Sequence, residues 1–206
     1  MTSRTGAFSM SQFTTSTLVL MAVAIAINIA VGHTVQNIIK LPVYLDSIGT
    51  VLVGALAGPL AGAATGFLAN VIWGLALGVP GIIPFAITAA VIGFLAGWFT
   101  RRGAFKVSGG TRALAICALA GVITGIIAAI VSAPIAVVQG GVTGSGTDAL
   151  VAVFRNMTDN IFLANQLQGF VSDPVDKLVT YLVAFAILVA VPVTVKTTFP
   201  QGEETV

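Results

Sequence analysis

The chemistry this chain offers is mostly amides and rings with a few charges, and it gathers in a few places. Gln36, Asn37 and Lys40 follow the first long apolar run, and Tyr44 and Asp46 lie just beyond them. Asn70 and Trp73 are spaced three apart, which puts them on one face of a helix. Farther along, Arg155, Asn156, Asp159, Asn160, Asn165 and Gln166 interrupt a mixed segment, and Asp176-Lys177 head the last apolar run. Polar groups inside or beside apolar helices are costly unless they are paired, line a cavity or touch a ligand. The candidate binding residues are therefore Asn37, Tyr44, Asn70, Trp73, Arg155, Asp159, Asn160, Asn165, Gln166, Asp176 and Lys177. Nothing here resembles a catalytic set. HExxH, GxSxG and a closely spaced acidic metal motif are missing from the sequence, as is the GxxxxGK[ST] phosphate loop. No catalysis, metal or cofactor is expected, and energy for uphill transport would have to come from a partner or an ion gradient.

Each candidate has a purely structural alternative. Asp46 and Asp173 fit helix N-caps as well as ligands. Arg155 and Asp159, four apart, can simply pair with each other. His33 can be solvated at a membrane surface, and Asn70 can bond a neighbouring helix. Cys117 stands alone in an apolar run and reads as a small core residue.

The elements that carry these residues are membrane helices. Hydrophobic residues make up 57% of the 206-residue chain and charged residues 8%. A hydrocarbon core of about 30 Å takes about 20 apolar residues in a helix. Runs of that length or more cover 17–38, 46–79, 84–100 with 113–138, and 175–195, and Gly58-Pro59 divides the second. The expected fold is an all-α membrane protein, a bundle of six transmembrane helices. Asp46 is expected to cap the second helix, and Asp173-Pro174 to open the sixth as N-cap and first helical residue. A polar-apolar segment, 139–172, would form a helical outer lid between helices five and six. The domain reading is a tail 1–16, a membrane domain 17–195 and a tail 196–206. The first span is expected to be retained, since Arg4 is a meagre n-region and no processing site follows. Arg4, Arg101, Arg102, Lys106, Arg112 and Lys196, six of the nine cations, fall on the side of the termini. That bias puts both termini in the cytoplasm. A net charge of +2, so dispersed, excludes a nucleic-acid partner.

Ala22, Ala26 and Ala30 recur every four residues and form a smooth stripe on the first helix. Together with Leu41-Pro42-Val43-Tyr44-Leu45-Asp46-Ser47-Ile48-Gly49-Thr50, Gly58-Pro59-Leu60-Ala61-Gly62 and Asp173-Pro174-Val175-Asp176-Lys177-Leu178, this layout resembles the substrate-binding S component of an energy-coupling factor (ECF) transporter. The resemblance covers about Thr17 to Val195. It implies an ABC-type importer subunit of the bacterial cytoplasmic membrane that captures a micronutrient at its outer face. It further implies docking, through Ala22, Ala26 and Ala30, onto a membrane scaffold subunit coupled to two cytoplasmic ATPase subunits. The amide-rich cluster with Tyr44 and Trp73 as stacking surfaces suits a small, largely neutral vitamin-like heteroaromatic, such as a pyrimidine vitamin precursor or a nucleoside. The rival readings are a membrane ligand sensor, for which no output domain is evident, and a small secondary transporter, for which no internal repeat stands out.

Overall fold

The computed structural model describes residues 10–206, and every described element is helical. Helix α1 covers Thr15–His33 and widens into a π-helical stretch, Thr34–Ile39. An irregular loop leads to α2, Ile48–Ala57, and then α3, Pro59–Ala76. A 3-10 stretch, Pro80–Phe85, precedes α4, Ala86–Thr100. Helix α5, Gly110–Val138, is followed by α6, Asp148–Thr158, then α7, Ile161–Ala190, and the short α8, Val193–Lys196. Among the described residues, four stretches are long and apolar enough to cross a membrane: Thr15–Ile39, Pro59–Ala76, Pro80–Thr100 and Val107–Val138. Helix α7 is longer still, but Asp173, Asp176 and Lys177 lie at its middle, all buried. Helix α2, at 10 residues, reaches only about 15 Å, half the hydrocarbon thickness.

Small residues let these helices approach until backbones touch. A Cβ on Gly93 of α4 would stand 2.1 Å from the carbonyl oxygen of Gly62 in α3, and one on Gly62 would stand 2.5 Å from that of Gly93. Helices without a hydrophobic drive to associate in lipid rely on this kind of packing. At the α2–α3 break Gly58 takes φ +115°, which glycine adopts freely, and Pro59 follows at the first helical position. The break leaves backbone groups unpaired, and two glutamines from the ends of the chain satisfy them. Gln12 Oε1 accepts from the N–H of Leu60 at 2.9 Å and of Ala61 at 3.3 Å. Gln201 Nε2 donates to the carbonyls of Gly97, Ala55 and Gly54, and its backbone N–H to Leu56 O. Both ends of the described chain therefore meet at this junction, the base of the bundle.

Several sequence expectations are corrected. Asp46 does not cap α2, which starts at Ile48; the N–H of Gly49 is instead taken by Asn28 Oδ1 of α1 at 2.8 Å, while Asn28 Nδ2 donates to Thr50 Oγ1. Asp173-Pro174 does not begin a helix. α7 runs 12 residues upstream of Asp173 and continues through Pro174, because Gly125 of α5 lets the neighbouring backbone close on that turn. A Cβ on Gly125 would sit 2.4 Å from Asp173 O. The segment 139–172 is consequently divided: a loop, then α6, and then the first turns of α7 itself. Residues 196–206 pack onto the bundle: Lys196 is buried, with Nζ donating to Leu188 O and Thr205 O at 3.3 Å each. Arg4 and the rest of residues 1–9 lie outside the described residues.

Candidate functional site

At the end opposite the base, α1, α3, α4, α5 and α7 diverge around a cavity of about 970 Å³, counting the open solvent at its mouth. The 143–148 segment and the start of α6 line it from the loop side. Trp73 is the largest side chain in its wall, 1% exposed, and is seated against Gly32, where a Cβ would come within 2.9 Å of the indole ring. His33 meets it edge-on, with ring centroids 6.2 Å apart, and shares a 3.2 Å hydrogen bond with Asn37. The indole Nε1 of Trp73 and the hydroxyl of Thr88 in α4 are buried yet have no hydrogen-bond partner. Buried polar groups left unpaired are expensive, and both residues line the cavity.

The floor beside them is ionic. Lys177 Nζ donates to Asp176 Oδ2 and, at 2.8 Å, to Ser47 Oγ, and lies 3.5 Å from Asp46 Oδ1. The other oxygen of Asp176 accepts the backbone N–H of Tyr44 at 2.9 Å and of Leu45 at 2.7 Å. Leu45 has a left-handed backbone, φ 49°, which this double contact helps hold. Asp46 also accepts from Gln36 Nε2 at 3.2 Å. The ammonium is thus saturated by carboxylates and a hydroxyl, and the 40–47 loop is fastened to α7 through its own backbone.

Tyr44 extends this network towards the mouth. Its hydroxyl donates to Thr147 Oγ1 at 3.4 Å and accepts from Gln168 Nε2 at 3.2 Å. Gln168 also donates to Ser172, which donates to Asp173. Burial, reinforced by the charge of Asp173, pushes the Tyr44 phenol well above its ordinary pKa, so it stays a neutral hydrogen-bonding group. Asp148 Oδ1 and Oδ2 accept from the backbone of Thr143 and Gly144, shaping the loop at the cavity rim.

The structure brings Asn37, Tyr44, Asn70, Trp73, Asn165 and Lys177 to the cavity wall. Asp176 lies behind the wall as the anchor of loop and ammonium. Arg155, Asp159 and Asn160 do not reach it: all three are exposed, and no ion pair joins Arg155 to Asp159. The physical reason is that α6 turns its polar face outward and buries Val151, while Asp159 ends that helix with a left-handed backbone, φ 51°. Asn160 is the N-cap of α7, accepting from Leu163 N at 3.0 Å. Gln166 lies outside the wall, its Nε2 buried without a partner. The candidate set lacked Gln36, Asp46, Gln168, Asp173, Thr88 and Ser132, all wall residues. Thr88 and Ser132 carried the same signal as Asn70, a polar group near the end of an apolar helix.

No match was found among curated proteins or among solved structures. Residues 12–171 match the family model described as ECF-type riboflavin transporter, S component. That match covers most of the chain, from α1 through α6 and the first turns of α7, and it makes this chain a member of the ECF transporter S component family.

Proposed function

We propose that this chain captures riboflavin, or a closely similar flat heteroaromatic, in the cavity and delivers it inward with an ATPase-driven module. The observation that carries the reading is the pair of unpartnered groups, Trp73 Nε1 and Thr88 Oγ1, in a cavity wall that sets amides, rings and apolar residues beside its ionic floor. A flat ring with carbonyl edges and a hydroxylated side chain offers acceptors to such groups. Lys177, fully engaged by Asp176, Asp46 and Ser47, offers little to an anionic ligand. The family match to riboflavin S components narrows the earlier expectation of a pyrimidine or nucleoside towards a flavin.

In this reading α1–α5 and α7 are the six membrane helices, with the base and both termini on the cytoplasmic side, supported by the surplus of cations there. Short α2 is completed by the 40–47 loop, whose backbone donors at Tyr44 and Leu45 are satisfied inside the bundle. Ala22, Ala26 and Ala30 are all exposed on α1 and would meet the scaffold subunit.

The test is titration of the detergent-purified protein with riboflavin, followed by quenching of flavin fluorescence. Saturable one-to-one quenching supports the reading. Absence of quenching, with a nucleoside or pyrimidine stabilising the protein instead, would overturn the flavin assignment. Ala26→Trp should keep ligand binding and abolish uptake in cells that contain the ATPase module; uptake that persists without the module would favour a secondary carrier.

A further inference from the structure

The base of the bundle holds a second concavity with the opposite chemistry. It lies between the α4–α5 connection and the first turns of α5, lined by Arg102, Lys106, Ser108, Arg112, Ala113 and Ile116, with about 730 Å³ of space counting its open side. We propose that it seats the phosphate headgroup of an anionic membrane lipid.

Three observations converge on this. The first is that these cations carry no carboxylate partner among the described residues, although Arg102 also donates to the carbonyl of Trp98 at 3.4 Å. Arg101 is committed to Gln201 Oε1 at 2.8 Å and Lys196 to buried carbonyls, whereas Arg102, Lys106 and Arg112 are exposed and none is in an ion pair among the described residues. Arg102 is held in place, its guanidinium 3.4 Å from the centre of the Trp98 ring, so its position is organised before any anion arrives. Ser108 already donates to Val206 O, so it borders the concavity without adding a free donor. The second is the start of α5, whose Gly109 N-cap supplies no side-chain hydrogen bond, so the positive end of a 29-residue helix faces the same space.

The third observation separates a lipid from a free anion. Below Arg112, residues Ile116, Leu119, Ile123, Ile126 and Ile130 follow at alternating spacings of three and four, one continuous face of α5. Leu119, Ile126 and Ile130 are 60%, 40% and 53% exposed. A cationic cavity at the head of an exposed apolar track has the polarity of a phospholipid, with the phosphate above and an acyl chain below. Free phosphate would use only the first half of that surface.

The test is native mass spectrometry of the full-length protein released from nanodiscs that contain equal amounts of phosphatidylglycerol and phosphatidylcholine. The wild type should retain phosphatidylglycerol preferentially. A cation at a membrane surface contributes about 1 kcal/mol, so each of Arg102→Gln, Lys106→Gln and Arg112→Gln should lower that preference about fivefold. The triple variant should abolish it, while Arg155→Gln at the far end leaves it intact. Should the triple variant not fold, Arg102→Gln alone decides. Equal retention of the two lipids, or an undiminished preference in Arg102→Gln, overturns the proposal. Displacement of retained phosphatidylglycerol by millimolar inorganic phosphate would also overturn it, marking an anion site with no use for the acyl track.

Discussion

Two groups of buried polar side chains stand at opposite ends of the bundle and solve different problems. At the base, Gln12 and Gln201 bond to backbone, completing the interrupted α2–α3 junction with amides that end where they start. At the cavity end, Lys177, Asp176, Asp46, Gln168 and Tyr44 bond mainly through side chains, and apart from them Trp73 Nε1 and Thr88 Oγ1 stand in the same wall with no partner. Amides that complete a backbone make a closed joint. A wall that keeps polar groups unpartnered beside a satisfied network has the makings of a receptor. The contrast teaches that burial and polarity alone do not mark a binding site, and that unpartnered groups gathered in a cavity wall are the better sign.

Substitutions can break this contrast. The largest effect is expected from Asp176→Ala, which strips the Lys177 ammonium and the Tyr44 and Leu45 N–H groups at once. Removing one member of a buried pair costs about 3–5 kcal/mol, so thermal unfolding should drop sharply and ligand binding should vanish. Gln201→Ala should cost about 1–3 kcal/mol, the price of leaving buried carbonyls unpaired, yet leave ligand affinity unchanged in a fluorescence titration. A loss of affinity would mean that the two ends are coupled. Trp73→Phe should instead weigh on binding: affinity lower by about tenfold through one missing hydrogen bond, with a stability cost of about 1–2 kcal/mol from the void the smaller ring leaves. Asn160→Ala should cost about 1 kcal/mol of stability as a lost N-cap, with affinity unaffected. Arg155→Ala, on an exposed helix face, should move stability by less than about 0.5 kcal/mol; a larger loss of binding would return α6 to the site.

How much of this could be read from the chain depended on whether the deciding contact was local. The helical class was visible because apolar runs of membrane length are properties of single segments. Asn70 and Trp73 stood out because they are polar intrusions in one apolar helix, and the structure sets both at the cavity. Asp173-Pro174 misled because a proline behind an aspartate looks the same at a helix start as at a mid-helix turn. What distinguishes the two is Gly125, about fifty positions earlier. The role of Asp176 was equally invisible, since its partners are backbone donors 131 and 132 residues away. The capping role of Asn160 was not legible, because an amide in a mixed segment carries no mark of whether it caps a helix.

The contact between Gly62 and Gly93 has a mechanical consequence. With no side chains between them, α3 and α4 have no cushion to compress and no rotamers to exchange, so the pair should move as a single stiff lever. Trp73 and Thr88 ride on that lever, one on each arm, and keep their spacing whatever the rest of the bundle does. Opening the cavity to admit or discharge cargo then falls to the parts held by side chains, the 40–47 strap and the upper turns of α7. A cross-link between α3 and α4 near Gly62 and Gly93 should leave transport intact, while one tying the strap to α7 should arrest it with the cargo inside.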